Sequence, residues 1–144
     1  MRNAKAFLRE IRYEQNEILR LQFHLEYLRK SLLPGGIRYD KVQVQSSISD
    51  KTSEVLAQIG DLETMIREDT LKLLKKTVKA QRMISGLESS EQRQIMREYY
   101  LSAPDEDLGL PTWNDVARIT HYSRAHVLRL HGEALRELNK NETK

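Results

Sequence analysis

The sequence predicts an all-α protein, with a long N-terminal helical hairpin followed by a C-terminal three-helix unit. Three observations carry this reading. Apolar residues recur at heptad spacing over long stretches. Only three prolines and six glycines interrupt 144 residues, and 31% of the chain is charged against 39% apolar. With only 6% aromatic residues as well, this composition suits long, partly exposed helices better than a thick core. The expected division is a scaffold over residues 1–87 and a second unit over residues 88–144.

The first helix is predicted from about Asn3 to Leu33. Ala4, Ile11, Ile18, Leu25 and Leu32 fall seven apart, and Phe7, Leu21 and Leu28 fill the alternate seam positions. Glu14 is the one polar residue on that seam. Sustained a/d spacing of this kind predicts packing against another helix. Its expected use is an intramolecular hairpin, with the seam of a homodimer as the alternative. Pro34-Gly35-Gly36 stops the helix, and residues 34–50, rich in Gly, Ser, Gln and Asp, read as a linker. Val42 and Val44 alternate with polar residues over too short a run to make a strand.

A second long helix is predicted from about Thr52 to Leu87. Val55, Leu56, Ile59, Leu62, Ile66, Leu73, Thr77, Ala80 and Ile84 form its stripe, and Gly60 weakens it by about 1 kcal/mol relative to Ala. Lys72, Lys75, Lys76, Lys79 and Arg82 gather on roughly a third of its circumference at about 100° per residue. They read as the solvated back of an amphipathic helix, with a ridge touching phosphates as the sharper alternative. Ser89 and Gln92 then have capping-box spacing. A shorter helix should run to about Leu101, with Ile95, Met96, Tyr99 and Tyr100 on one side. Asp105-Glu106-Asp107 lies in a loop bracketed by Pro104 and Pro111, and adjacent acids without fixed geometry do not make a metal site.

Charge is uneven along the chain. Net charge is +3 over residues 1–33, +1 over 34–90, −3 over 91–111 and +2 over 112–144, and the last segment holds three of the four histidines. This modest excess permits nucleic-acid binding without requiring it. No cysteine is present, which excludes disulfides and thiolate-held metals. No stretch approaches about 18 consecutive apolar residues, so no membrane span is expected. The N-terminus lacks the apolar middle and cleavage site of a signal peptide, and a cytoplasmic location is expected. There is no Gly-rich phosphate loop, HExxH or nucleophile elbow, so no enzyme activity and no cofactor are expected. His121, His126 and His131 recur every five residues, about 140° apart on a helix, so they do not converge on a metal ion. His131 reads as a packing or capping histidine, and His24 as solvated.

The most informative segment is Thr112–Leu138. Thr112 is an N-cap with Asp115 three residues on. Trp113, Val116, Ala117 and Thr120 share one face, flanked by Ile119, and Ala117 is small where two helices must cross. The turn is Thr120-His121-Tyr122, where His121 is expected at positive φ. Ser123 caps a second helix whose Val127, Leu130, Ala134 and Leu138 face one way. Ala125, Arg129, Gly132 and Arg136 face the other way, beside His126 and Glu133, with Arg124 in the first turn. This is a helix-turn-helix pattern, whose second helix presents its N-terminal residues to the DNA major groove. Arg124, His126 and Arg129 are the candidate readers. An Arg pairing bidentately with guanine contributes about 1–3 kcal/mol of discrimination. Ser123 and Thr112 are candidate phosphate contacts at helix starts, and Ala125 and Arg136 complete the candidate DNA-contacting set.

The run Thr112, Val116, Ala117, Ser123, Arg124, Val127, Leu130, Ala134, Leu135 and Leu138 resembles region 4 of bacterial sigma factors. Trp113, Tyr122-Ser123, His126-Val127, Arg129 to Gly132 and Ala134-Leu135 look still more like the phage transcription activators of the RinA and ArpU type. Pro34-Gly35-Gly36 and Asp61-Leu62-Glu63 extend a weaker similarity over most of the chain. The resemblance implies a phage or prophage regulator, acting in a bacterial host cell on promoter DNA of late genes. Double-stranded DNA is then the expected partner, with host RNA polymerase and a second copy of the chain as further candidates. Ala125 stands where sigma factors usually have Glu, which implies a different base preference. Sigma factors also favour Leu-Gly where this turn has Thr120-His121. Two other classes compete. One is a small terminase subunit, which joins such a motif to oligomerising helices but usually places it first. The other is a helical interaction module that recruits polymerase.

Overall fold

The computed structural model describes residues 3–33, 45–105 and 107–142, with side chains of 45–49 excepted. Every regular element among them is helical: α1 (Ala4–Ser31), α2 (Gln45–Ser85), α3 (Ser90–Met96) continued by a π-helical turn (Arg97–Leu101), α4 (Trp113–Thr120) and α5 (Arg124–Glu142). The chain is all-α. No described helix is long and apolar enough to cross a membrane.

Two expectations change at the linker. Residues 45–50, read as linker, are the first turns of α2, so this helix starts at Gln45 rather than Thr52. No Pro or Gly stands between 45 and 59. Extending an existing helix over Ser and Gln costs little once the nucleus has formed. The Pro34-Gly35-Gly36 break and the Val42/Val44 alternation lie outside the described residues.

Packing divides the chain into two units, residues 1–16 with 72–144 and residues 17–71. The division does not fall at residue 87, because the buried faces at the start of α1 and the end of α2 share one core with the C-terminal helices. In the first unit Ala4, Phe7, Leu8 and Ile11 pack with Ala80, Ile84 and Leu87, and with Met96, Tyr100, Ala134, Leu135 and Leu138. Each large apolar side chain so buried contributes roughly 1.5–3 kcal/mol relative to exposure. The Ala4 amide also donates to Asn139 Oδ1 at 2.8 Å, satisfying an orphan N–H of the first turn of α1.

In this unit α1 and α2 run antiparallel. Phe7 lies under the Lys79 ammonium at 5.0 Å, and Lys76 reaches Glu10 at 2.7 Å and also Glu14. The polar residue on the α1 seam is thereby explained: Glu14 shares one half-buried ammonium with Glu10. Hydrogen bonds to Glu10 and then Glu14 raise the Lys76 pKa above its usual value.

The second unit is built from the middle of the same two helices. Leu25 and Leu28 pack against Ile59 and Leu62, flanked by Leu21, Leu32, Val55 and Ile66. Arg29 pairs with Glu63 at 2.8 Å on the exposed edge. Leu56 departs from the expected stripe. It is 54% exposed, being one residue, and so about 100° of helix, beyond Val55.

Candidate nucleic-acid interface

The expected capping box at the start of α3 is one-sided. Ser89 Oγ accepts from the Gln92 amide at 3.3 Å, while the Gln92 side chain donates to Glu133 at 3.4 Å instead of turning back to the cap. The π turn that follows α3 places Tyr100 in the core and leaves Tyr99 half-buried beside it. Tyr99 thus becomes the platform for the next helix: its ring and that of Trp113 stack at 3.6 Å with planes 8° apart.

The loop between them is built rather than loose. Asp105 Oδ1 accepts from the amides of Asp107 and Leu108, and Asp105 and Gly109 exchange both backbone bonds. Gly109 takes φ 77°, a left-handed value that favours glycine. The amides donated by Asp107 and Leu108 hold the Asp105 carboxyl below its usual pKa.

Thr112 caps α4 in a complete capping box. Its hydroxyl accepts from the Asp115 amide at 3.2 Å, and Asp115 Oδ2 accepts from the Thr112 amide at 2.8 Å. The Thr112 amide and hydroxyl are thus both engaged with the Asp115 carboxylate and amide as a cap. His121 ends α4 at φ 61°, ψ 28°, the positive φ expected of it. Its amide donates to Ala117 O, as does that of Tyr122. The buried Thr120 hydroxyl donates back to Val116 O at 2.7 Å.

Ser123 then caps α5, accepting from the His126 amide at 3.2 Å. Val116 of α4 packs with Val127 and Leu130 of α5 and Ile95 of α3, flanked by Tyr99, Trp113, Ala117 and Tyr122. Ala134 and Leu138 face inward as expected, joined by Leu135. On the outer side Ser123, Arg124, Ala125, Arg129 and Arg136 are exposed, and Gly132 is half-buried. Arg129 is pre-positioned by His126 Nδ1 at 2.9 Å and Glu133 at 3.5 Å. His126 rests edge-on against Tyr122.

Of the α2 ridge, Lys72, Lys75, Lys79 and Arg82 are exposed and Lys76 is half-buried. Lys76 turns to the α1 carboxylates and Lys79 to Phe7. The three C-terminal histidines have separate surroundings: His121 is exposed in the turn, His126 lies on Tyr122, and His131 meets Tyr100. His24 is exposed on α1.

His131 is the packing histidine expected from sequence. Its Nε2 is 2.7 Å from Tyr100 Oη, and its ring sits 4.4 Å from Trp113. Burial, and then the nearby Lys5 charge, push its pKa down to about 4. Above pH 6.5 the imidazole is neutral whether the chain is folded or not. As pH falls from 6.5 towards about 4, the unfolded chain takes up a proton that the folded chain refuses, so stability falls. Discounted for solvent screening of this partly exposed ring, the loss is on the order of 1–2 kcal/mol. Urea midpoints at pH 7.5 and 4.5 should therefore differ more for the wild type than for His131→Gln; an equal drop in both would refute this.

One determinant escaped the sequence reading. Arg12 Nη1 donates to Tyr99 O at 2.8 Å and to Pro111 O at 2.9 Å, with its guanidinium 3.9 Å over the Tyr99 ring. It ties α1 to both ends of the connection that positions α4. Its spacing with Lys5 and Arg9, one cation per turn off the apolar seam, was the available signal. The chain matches no family model, no curated protein and no solved structure.

Proposed function

We propose that the chain is a DNA-binding transcription regulator, in which α4, the His121 turn and α5 form a sigma region 4-like helix-turn-helix and α1 with α2 form a helical hairpin. In this reading α5 enters the major groove of double-stranded DNA. Its phage or prophage setting, and recruitment of host RNA polymerase, rest on the sequence resemblance.

The observation that carries the reading is the two-sided character of α5. One side is sealed by Val127, Leu130, Ala134 and Leu138, and the other exposes Arg124, Ala125, Arg129 and Arg136. Gly132 adds a second support. A Cβ there would meet nothing within 4 Å, and glycine in a helix interior costs about 1 kcal/mol relative to Ala. The protein's own packing does not require this glycine, whereas close approach of a partner surface would. Ser123 keeps its hydroxyl proton available for a phosphate at the start of α5.

Selection of bound duplexes from a random library, at stated salt, tests the reading. The expected result is one short enriched site. Enrichment of no sequence over the starting pool would reject it. Glu133 supplies a finer check, because its carboxylate shares Arg129 with the proposed DNA face. Glu133→Gln should raise affinity for the selected duplex severalfold at low salt, and the gain should shrink as salt screens the charge. Reduced affinity in that variant would count against Arg129 facing the duplex.

A further inference from the structure

Beside the proposed DNA-reading face lies a cleft of about 450 Å³ lined by side chains of α1, α4, α5 and the π turn. Its volume is in the range of small-molecule sites. Lys5, Arg9 and Arg12 line it from α1, and no carboxylate lines it. At spacings of four and three residues the three cations share one helix face and repel one another. Lys5 and Arg9 are exposed, and neither has an ion-pair partner among the described residues. The remaining lining includes the half-buried indole of Trp113, the exposed aliphatic chain of Leu128 and the imidazole of His131. The cations act on the cleft interior: Lys5 depresses the His131 pKa, and Arg12 and Arg9 act to lower that of Tyr100 against the effect of burial.

We infer that this cleft binds a phosphate group attached to a flat ring, a ligand of the nucleotide class, with Lys5 and Arg9 holding the phosphate and Trp113 and Leu128 flanking the ring. Cations converging without a counter-charge call for an anion. Phosphate is favoured over a single carboxylate because several donors can share its three oxygens. The aromatic and aliphatic walls supply the apolar contact that a bare anion would not use. His131, neutral at physiological pH, has one ring nitrogen on Tyr100 and the other free to meet the ligand. The same chemistry is offered by a free mononucleotide or by a nucleotide of a nucleic-acid strand. The inference does not depend on how α5 reads DNA, since its cations belong to α1.

Trp113 is the only tryptophan, so its fluorescence reports this cleft. The 144-residue chain would be titrated with adenosine and guanosine monophosphates, inorganic phosphate, and a short duplex. Saturable change with a mononucleotide, at lower concentration than with inorganic phosphate, is expected for a free ligand. Change with the duplex and not with mononucleotides would assign the source to a nucleic-acid strand, and supports the inference provided that Lys5→Ala with Arg9→Ala removes it. That double variant should weaken binding on the order of tenfold or more for the cations lost. Both residues are exposed, so its circular dichroism and melting should match the wild type. A second readout is the His131 ring titration by NMR, which should move to higher pH when an anion is bound. No saturable change with any probe up to millimolar concentration would overturn the inference, as would binding that the double variant leaves intact.

Discussion

Replacing Arg124 and Arg129 together by alanine should abolish specific DNA binding while leaving the helices in place. Both side chains are exposed, so neither contributes to the core, and circular dichroism should not change. If each arginine makes a bidentate base contact worth about 1–3 kcal/mol, their joint loss is on the order of 2–6 kcal/mol, from roughly 30-fold to beyond 10,000-fold in affinity. The two are not equivalent. Arg124 stands in the first turn of α5, where a cation is unfavourable against the helix dipole unless an anion approaches. Arg129 is already oriented by His126 and Glu133 and must loosen from Glu133 to engage a base.

The single variants separate their roles. A base-reading arginine, once removed, relaxes preference at one position of the site. A phosphate-binding one weakens every sequence alike and lowers the salt slope by about one. Unchanged affinity of the double variant for every duplex would reject direct readout by α5.

Much of the local structure was legible in the sequence. The α1 seam was readable because heptad spacing leaves one apolar stripe, and Ala4, Phe7, Ile11, Ile18, Leu25 and Leu28 are all buried. Thr112, His121 and Ser123 were readable because capping and positive φ depend on a few neighbouring residues. The start of α2 was not, because Ser and Gln are compatible with both linker and helix, and an adjoining long helix tips the balance. Arg12 was not legible as a tether either. A cation off the apolar seam looks solvated until the fold brings carbonyls 87 and 99 residues away to its guanidinium. The Gln92 side chain likewise follows a tertiary partner, Glu133, in preference to its local cap.

Arg12→Ala should be among the most destabilising exposed-to-half-buried substitutions in the chain. It removes two charge-assisted hydrogen bonds, each with a net contribution of about 1.5–3 kcal/mol, and a cation–π contact of about 0.5–1 kcal/mol. These share one side chain and are not additive, and water can reach the half-buried carbonyls, so a loss of about 2–4 kcal/mol is expected. For a chain of this size that lowers Tm by roughly 5–15 °C. Arg12→Lys should recover only part of the loss, because a single ammonium cannot reproduce the planar fork and its stacking on Tyr99. Arg12→Met, which keeps most of the apolar stem, separates lost packing from lost hydrogen bonding. DNA binding should weaken with stability in these variants, because the tether ends at Pro111, next to the Thr112 cap, and at Tyr99, on which Trp113 stacks. If Arg12→Ala melts with the wild type, those two carbonyls are satisfied by water at no cost, and α4 is held by the aromatic stack and the α3–α5 core alone.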